Sequence, residues 1–161
     1  MNKEDLKGYI EHLKKSINDN FNKDYFISPT LLFVDKHFNI VALPYAFETL
    51  ESKELLTKYV IPATIKTHNA EVVITISEAW MKNFNKNEKS EIKAIHEYND
   101  KVEVVILSIE TFDEVEVHVY EIKRPENKVP YLELKTSKID KYPNIQGQFV
   151  NFLRMSKAKW N

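Results

Sequence analysis

Glu78, Trp80 and His68 are the residues whose types and placing come nearest to a site. The segment Glu-Val-Val-Ile-Thr-Ile-Ser-Glu-Ala-Trp-Met, residues 71–81, reads as a strand. Alternation of period two puts Val72, Ile74, Ile76, Glu78 and Trp80 on one face. A carboxylate on an apolar face has to be paired, neutralised by a raised pKa, or set at the edge of a pocket. Glu78 is therefore the candidate general acid or base, and Trp80 would roof its pocket. His68 ends the helix before this strand and can reach toward the sheet, so Glu78, Trp80 and His68 together form the candidate binding site. The plainer alternatives are a strand that stops near Ser77, leaving Glu78 in water, and a histidine that is simply favoured at a helix C-terminus.

Elsewhere the chemistry is thin. No two of the five histidines, His12, His37, His68, His96 and His118, stand three or four residues apart, so no helical metal pair exists and no metal site is expected. His118 is read with Glu114 and Glu116 on the solvated face of a strand. The acidic residues Glu103, Glu110, Asp113, Glu114, Glu116 and Glu121 read as a solvated stripe that protects an edge, or as a surface for a basic partner.

Composition narrows the function classes. The chain has 161 residues, a length that suits one domain over 1–161, and its 43% hydrophobic content is enough for a packed core. A net charge of −1, with only Arg124 and Arg154 as arginines, gives no field to draw in a polyanion and argues against nucleic acid. Tyr25, Phe26, Phe38, Tyr45 and Phe47, with Lys23, Lys36 and Lys53, are the only stacking set that would suit single strands, and core packing is the commoner use of such residues. Cysteine is absent, which removes disulfides, thiolate nucleophiles and cysteine metal sites. Gly8 and Gly147 are the only glycines, too few for a phosphate-cradling loop, so no cofactor is expected. No signal peptide and no membrane span is legible, and a cytoplasmic protein is expected.

The elements that must position these residues follow from periodicity. Leu6, Tyr9, Ile10, Leu13 and Ile17 predict a helix over 3–18, capped by Asn2, and a loop from Asp19 to Pro29. Residues 30–35 and 40–43 predict a hairpin with Asp35 and Asn39 in its turn. A helix from Ser52 to about His68 must kink or split at Pro62. The strand 71–81 comes next, then an ambiguous stretch at 90–98. Residues 101–111 carry apolar groups on both faces, as a central strand does; 114–123 alternate, as a half-exposed strand does. A short strand at 131–135 and a helix over 145–157 close the chain. The expected fold is α+β: a five- to six-stranded, mainly antiparallel sheet (hairpin, helix, strand, meander) with helices packed on one side of it.

The kinked helix, the strand ending Ser77-Glu78-Ala79-Trp80-Met81 and the Val-rich hairpin resemble small uncharacterised bacterial and phage α+β proteins over residues 30–123. The resemblance implies the order of elements and no activity. The leading expectation for function is a soluble, non-catalytic binding or regulatory domain acting through a protein partner or self-association, with the Val-rich hairpin able to extend a sheet. A hydrolase-type enzyme using Glu78 as general acid or base is the alternative, and single-stranded nucleic-acid binding the second.

Overall fold

Asn2 starts the first helix as its sequence requires, its side-chain oxygen accepting the Glu4 N–H at 3.1 Å. In the computed structural model, which describes residues 1–46, 49–82, 97, 99–141 and 151–160, helix α1 spans Lys3–Asp24. It runs six residues past the predicted end because Phe21 extends the stripe of Ile10, Leu13 and Ile17 and is fully buried. Tyr25 then stops the helix in the left-handed region at φ 54°, its N–H bonded to the Phe21 carbonyl.

Strands β1 (Thr30–Asp35) and β2 (Ile40–Pro44) form the predicted hairpin. One carboxylate, Asp35, accepts the His37 and Asn39 N–H groups and the Asn39 amide, each at 2.8 Å. These bonds, with Asn39's the largest influence, hold the Asp35 carboxyl below its usual range. The next helix starts at Leu50, two residues before Ser52, because Thr49 and Ser52 cap it reciprocally. It divides into α2 (Leu50–Leu55), a π-helical turn (Leu56–Val60) and α3 (Ile61–His68). Pro62 has no N–H to give the Lys58 carbonyl, and the backbone just before it widens, with the Ile61 N–H bonding back to Leu56. Asn69 ends α3 in the left-handed region at φ 49°.

Strand β3 (Ala70–Met81) is followed by β4 (Val102–Glu110), β5 (Glu114–Lys123) and β6 (Tyr131–Lys141), and α4 covers Phe152–Trp160. The six strands form one antiparallel sheet in the order β2-β1-β3-β4-β5-β6. Because β2 and β3 both oppose β1, they run parallel to each other, and parallel strands need a crossover. The helical segment from Leu50 to His68 is that crossover.

Helices cover both faces, not the single face expected. On one, α1 packs Ile10, Leu13, Ile17 and Phe21 against Leu32, Val34, Ile74, Leu107 and Tyr120. On the other, Ile61 and Ile65 of α3 and Phe152 and Leu153 of α4 pack against Leu31, Phe33 and Val73. This double cover buries both sides of β5, which the alternation of its sequence had marked as half-exposed. Strand β6 is also longer than predicted: register with β5 carries pairing to Lys141 although its residues are mostly exposed. The stretches 90–96 and 145–150 lie outside the described residues.

Leu107 is fully buried on the central strand against the α1 face. Replacing it by Ala is expected to cost about 2–5 kcal/mol of stability. Urea unfolding of the variant checks this, and an unchanged midpoint would remove Leu107 from the core.

Candidate functional site

Strand β3 continues past Ser77, so Glu78 belongs to it and faces the same way as Ile74 and Ile76, opposite Val105 of β4. Its carboxylate is half-buried and accepts the backbone N–H of Ile27 at 2.8 Å. That bond ties the α1–β1 connection to the sheet and places the buried Ile27 side chain in the α1 core. Arg124 lies within electrostatic reach of Glu78 and forks onto Glu103, Nε to Oε2 at 2.7 Å and Nη2 to Oε1 at 3.3 Å. Glu103 in turn is the cross-strand neighbour of Trp80. The Trp80 ring is exposed and carries the Lys101 ammonium 5.2 Å from its centroid. His68 is not part of this group. It is exposed at the end of α3, and the strand between Ala70 and Glu78 separates them by about 26 Å at 3.3 Å per residue. Glu78 and Trp80 are thus brought to one end of β3, and His68 stays at the other. Neither the cavity beside the first half of α1 nor the smaller one beside Ile27 and Ile76 is lined by Glu78 or Trp80.

The second polar group on a strand face is His118, only 3% exposed. It was read as solvated; the packing of α1 on this face of the sheet buries it instead. Its Nε2 lies 2.6 Å from Glu116 Oε1 and its Nδ1 2.7 Å from Ser137 Oγ on β6. Glu116 also lines a cavity of about 460 Å³ between the first half of α1 and the β5–β6 end of the sheet. The cavity is lined by the apolar Leu6, Ile10, Val72 and Ile139 together with the charged Lys7 and Glu11. The Glu-Val-His spacing on β5 was the one available signal for this group. Ser137 could not be found, because its pairing depends on a register shift between β5 and β6.

Glu110 departs furthest from the solvated acidic stripe. It is 2% exposed, on the face that α4 covers, and accepts the Leu153 N–H at 2.8 Å. A carboxylate at a helix N-terminus bonds a free backbone donor and complements the helix dipole. Glu110 therefore docks α4 on the sheet.

Within the aromatic set Tyr25 and Phe26 are exposed, while Phe38 and Tyr45 are drawn to opposite faces of the sheet. Phe38 packs edge-on against Tyr9 with the α1 core, whereas Tyr45 packs with the opposite core, its phenol raised in pKa by burial. Phe47 lies outside the described residues.

The helical crossover is the remaining feature. Neither α2 nor the π turn buries a residue, and Leu50, Leu55 and Tyr59 are 74%, 57% and 67% exposed. Leu55 and Tyr59, four residues apart, stand on one ridge.

Among the described residues, no group of three or more His, Asp or Glu could hold a metal ion, and no helix is long and apolar enough to cross a membrane. The chain matches no known family model, and neither a curated protein nor a solved structure matches it significantly.

The Glu78 and Glu110 bonds predict separable effects. Glu78→Ala is expected to cost about 0.5–1.5 kcal/mol, the value of one half-buried bond, and to speed hydrogen exchange at the Ile27 amide. Unchanged exchange there would show that the bond does not anchor the loop. Glu110→Ala, which leaves a buried donor at α4, is expected to cost more, about 1.5–3 kcal/mol in chemical denaturation. A loss no larger than that of Glu78→Ala would contradict the docking role.

Proposed function

We propose that this chain is a small binding domain that acts through protein–protein contact, with the helical arm Leu50–Val60 as the contact. The observation that carries this reading is an arm that fully buries none of its own residues, with Leu56 half-buried on the core beneath it, while holding Leu50, Leu55 and Tyr59 in water. A short helix is marginal in water and gains most of its stability by packing an apolar face. Contiguous exposed apolar surface on a folded protein marks an interaction site. The Val-rich β4–β5 hairpin does not serve this purpose by sheet extension, since β4 pairs with β3 and β5 with β6. The lack of cysteine suits a reducing compartment, and the cytoplasm is the location that goes with this reading.

The form of the contact that the chain alone can make is self-association of two arms through the Leu55–Tyr59 ridge. Sedimentation equilibrium is expected to find a dimer, and Leu55→Lys with Tyr59→Lys is expected to return it to monomer. Because both residues are exposed, each substitution should leave stability within about 0.5 kcal/mol of the parent. A chain that is monomeric at every concentration overturns the self-associating form. A marked fall in thermal midpoint with Leu55→Lys overturns the arm as a free surface.

A further inference from the structure

We propose that Ser137 is a nucleophile activated by His118 and Glu116, and that it transfers apolar acyl groups from carboxylic esters. This adds a chemical site to the binding reading and is independent of it, since the arm belongs to the crossover between β2 and β3.

With the imidazole neutral, as a general base must be, its partners assign the hydrogen-bond roles. An ionised carboxylate can only accept, so the Nε2 that sits 2.6 Å from Glu116 carries the imidazole proton. The other nitrogen, Nδ1, then has a lone pair, and at 2.7 Å it accepts the Ser137 hydroxyl proton. Serine to base, and base to orienting carboxylate, is the arrangement that nucleophilic catalysis requires. Here the two imidazole nitrogens exchange the positions they hold in the serine protease triad, which alters no proton's path. His118 is almost sealed from water while Ser137 is exposed, so the base is sheltered and the nucleophile reachable.

The sheet places the serine deliberately. Leu132 and Leu134 pair with Ile122 and Tyr120, and Ser137 and Ile139 with His118 and Glu116. The even positions of β6 thus face α1 before Lys135 and the odd positions after it. Lys135 is the extra residue of a bulge, and without it Ser137 would point to the opposite face. On the α1 side Ser137 stands between Leu134 and Ile139, two aliphatics that are exposed and can bed an apolar acyl group. Glu11 of α1, itself paired with Lys14 at 2.7 Å, also lies within electrostatic reach of His118.

In the step proposed, the Ser137 Oγ–acyl carbon bond forms as the hydroxyl proton passes to His118 Nδ1. The acyl–oxygen bond of the ester then breaks, and the departing alkoxide takes that proton. Water, deprotonated by the same nitrogen, releases the acid and restores the serine.

The test uses the full-length chain with an alkyl fluorophosphonate and with 4-nitrophenyl butyrate. One phosphonyl adduct is expected on the folded protein, mapped by peptide mass spectrometry to Ser137, absent from urea-unfolded protein and from Ser137→Ala. Ester turnover should disappear with the same substitution. His118→Asn, with its fold checked by circular dichroism, should slow adduct formation about a hundredfold or more, within the roughly 10²–10⁴-fold range of general-base catalysis. Should that variant not fold, Glu116→Gln replaces it with the same expectation. No adduct at Ser137 on the folded protein, equal labelling of the unfolded chain, or an unchanged rate in the folded His118→Asn or Glu116→Gln variant overturns the proposal.

Discussion

The middle stretches of β3, β4 and β5 have buried residues on both faces, so a polar side chain placed there has little water to bond and has to be satisfied by protein. Much of the chemistry of this molecule descends from that constraint. Glu78, Glu110 and His118 each stand on a strand face, and each is bonded by a different neighbouring element: the α1–β1 connection, the start of α4, and the edge strand β6. The same bonds fix where those elements lie. A carboxylate that accepts a backbone N–H does two things at once, since it removes an unpaired donor and gives a loop or helix end one allowed position.

Legibility in the sequence followed the range of the interaction. The Asn2 cap, the Asp35–Asn39 turn, the two-sided β4 and the break at Pro62 are local, and spacing alone places them. Double cover is not local. The strand pattern Glu114, Glu116, His118 against Val115, Val117, Val119 looks amphipathic whichever face is buried, and only the docking of α1 decides that His118 is inside. Glu110 misled for the same reason, because its partner at Leu153 is 43 residues away in the chain. Glu78 was read either as a carboxylate in need of a partner or as a strand end in water, and it has a partner. That partner is a main-chain N–H, which no residue type announces.

Of the three residues first grouped as a site, His68 is separated by the length of β3, and Glu78 is occupied in holding Ile27. A carboxylate bonded to backbone, with an arginine nearby, is well suited to anchoring. His118 has what Glu78 lacks: one partner that orients it and another that is exposed. The difference lies in the element on the far side, since Glu78 meets a buried loop and His118 meets the edge of the sheet.

Strand β6 shows how one irregularity can serve structure and chemistry together. As the last strand in the order it is bonded on one side only among the described residues, and an edge of eleven residues is an open template for pairing. A bulge twists such an edge, and Lys135 at the bulge pairs with Glu121 at 3.4 Å, as does Lys123 at 2.6 Å. That ion-paired cluster discourages a second strand from adding at this point. The same extra residue reverses the alternation beyond it and turns Ser137 toward His118. Edge protection alone is indifferent to where along β6 the extra residue stands, because a bulge elsewhere would interrupt pairing as well. Delivery of a hydroxyl to His118 is not indifferent: it requires an odd number of extra residues between Leu134 and Ser137, which is what Lys135 supplies.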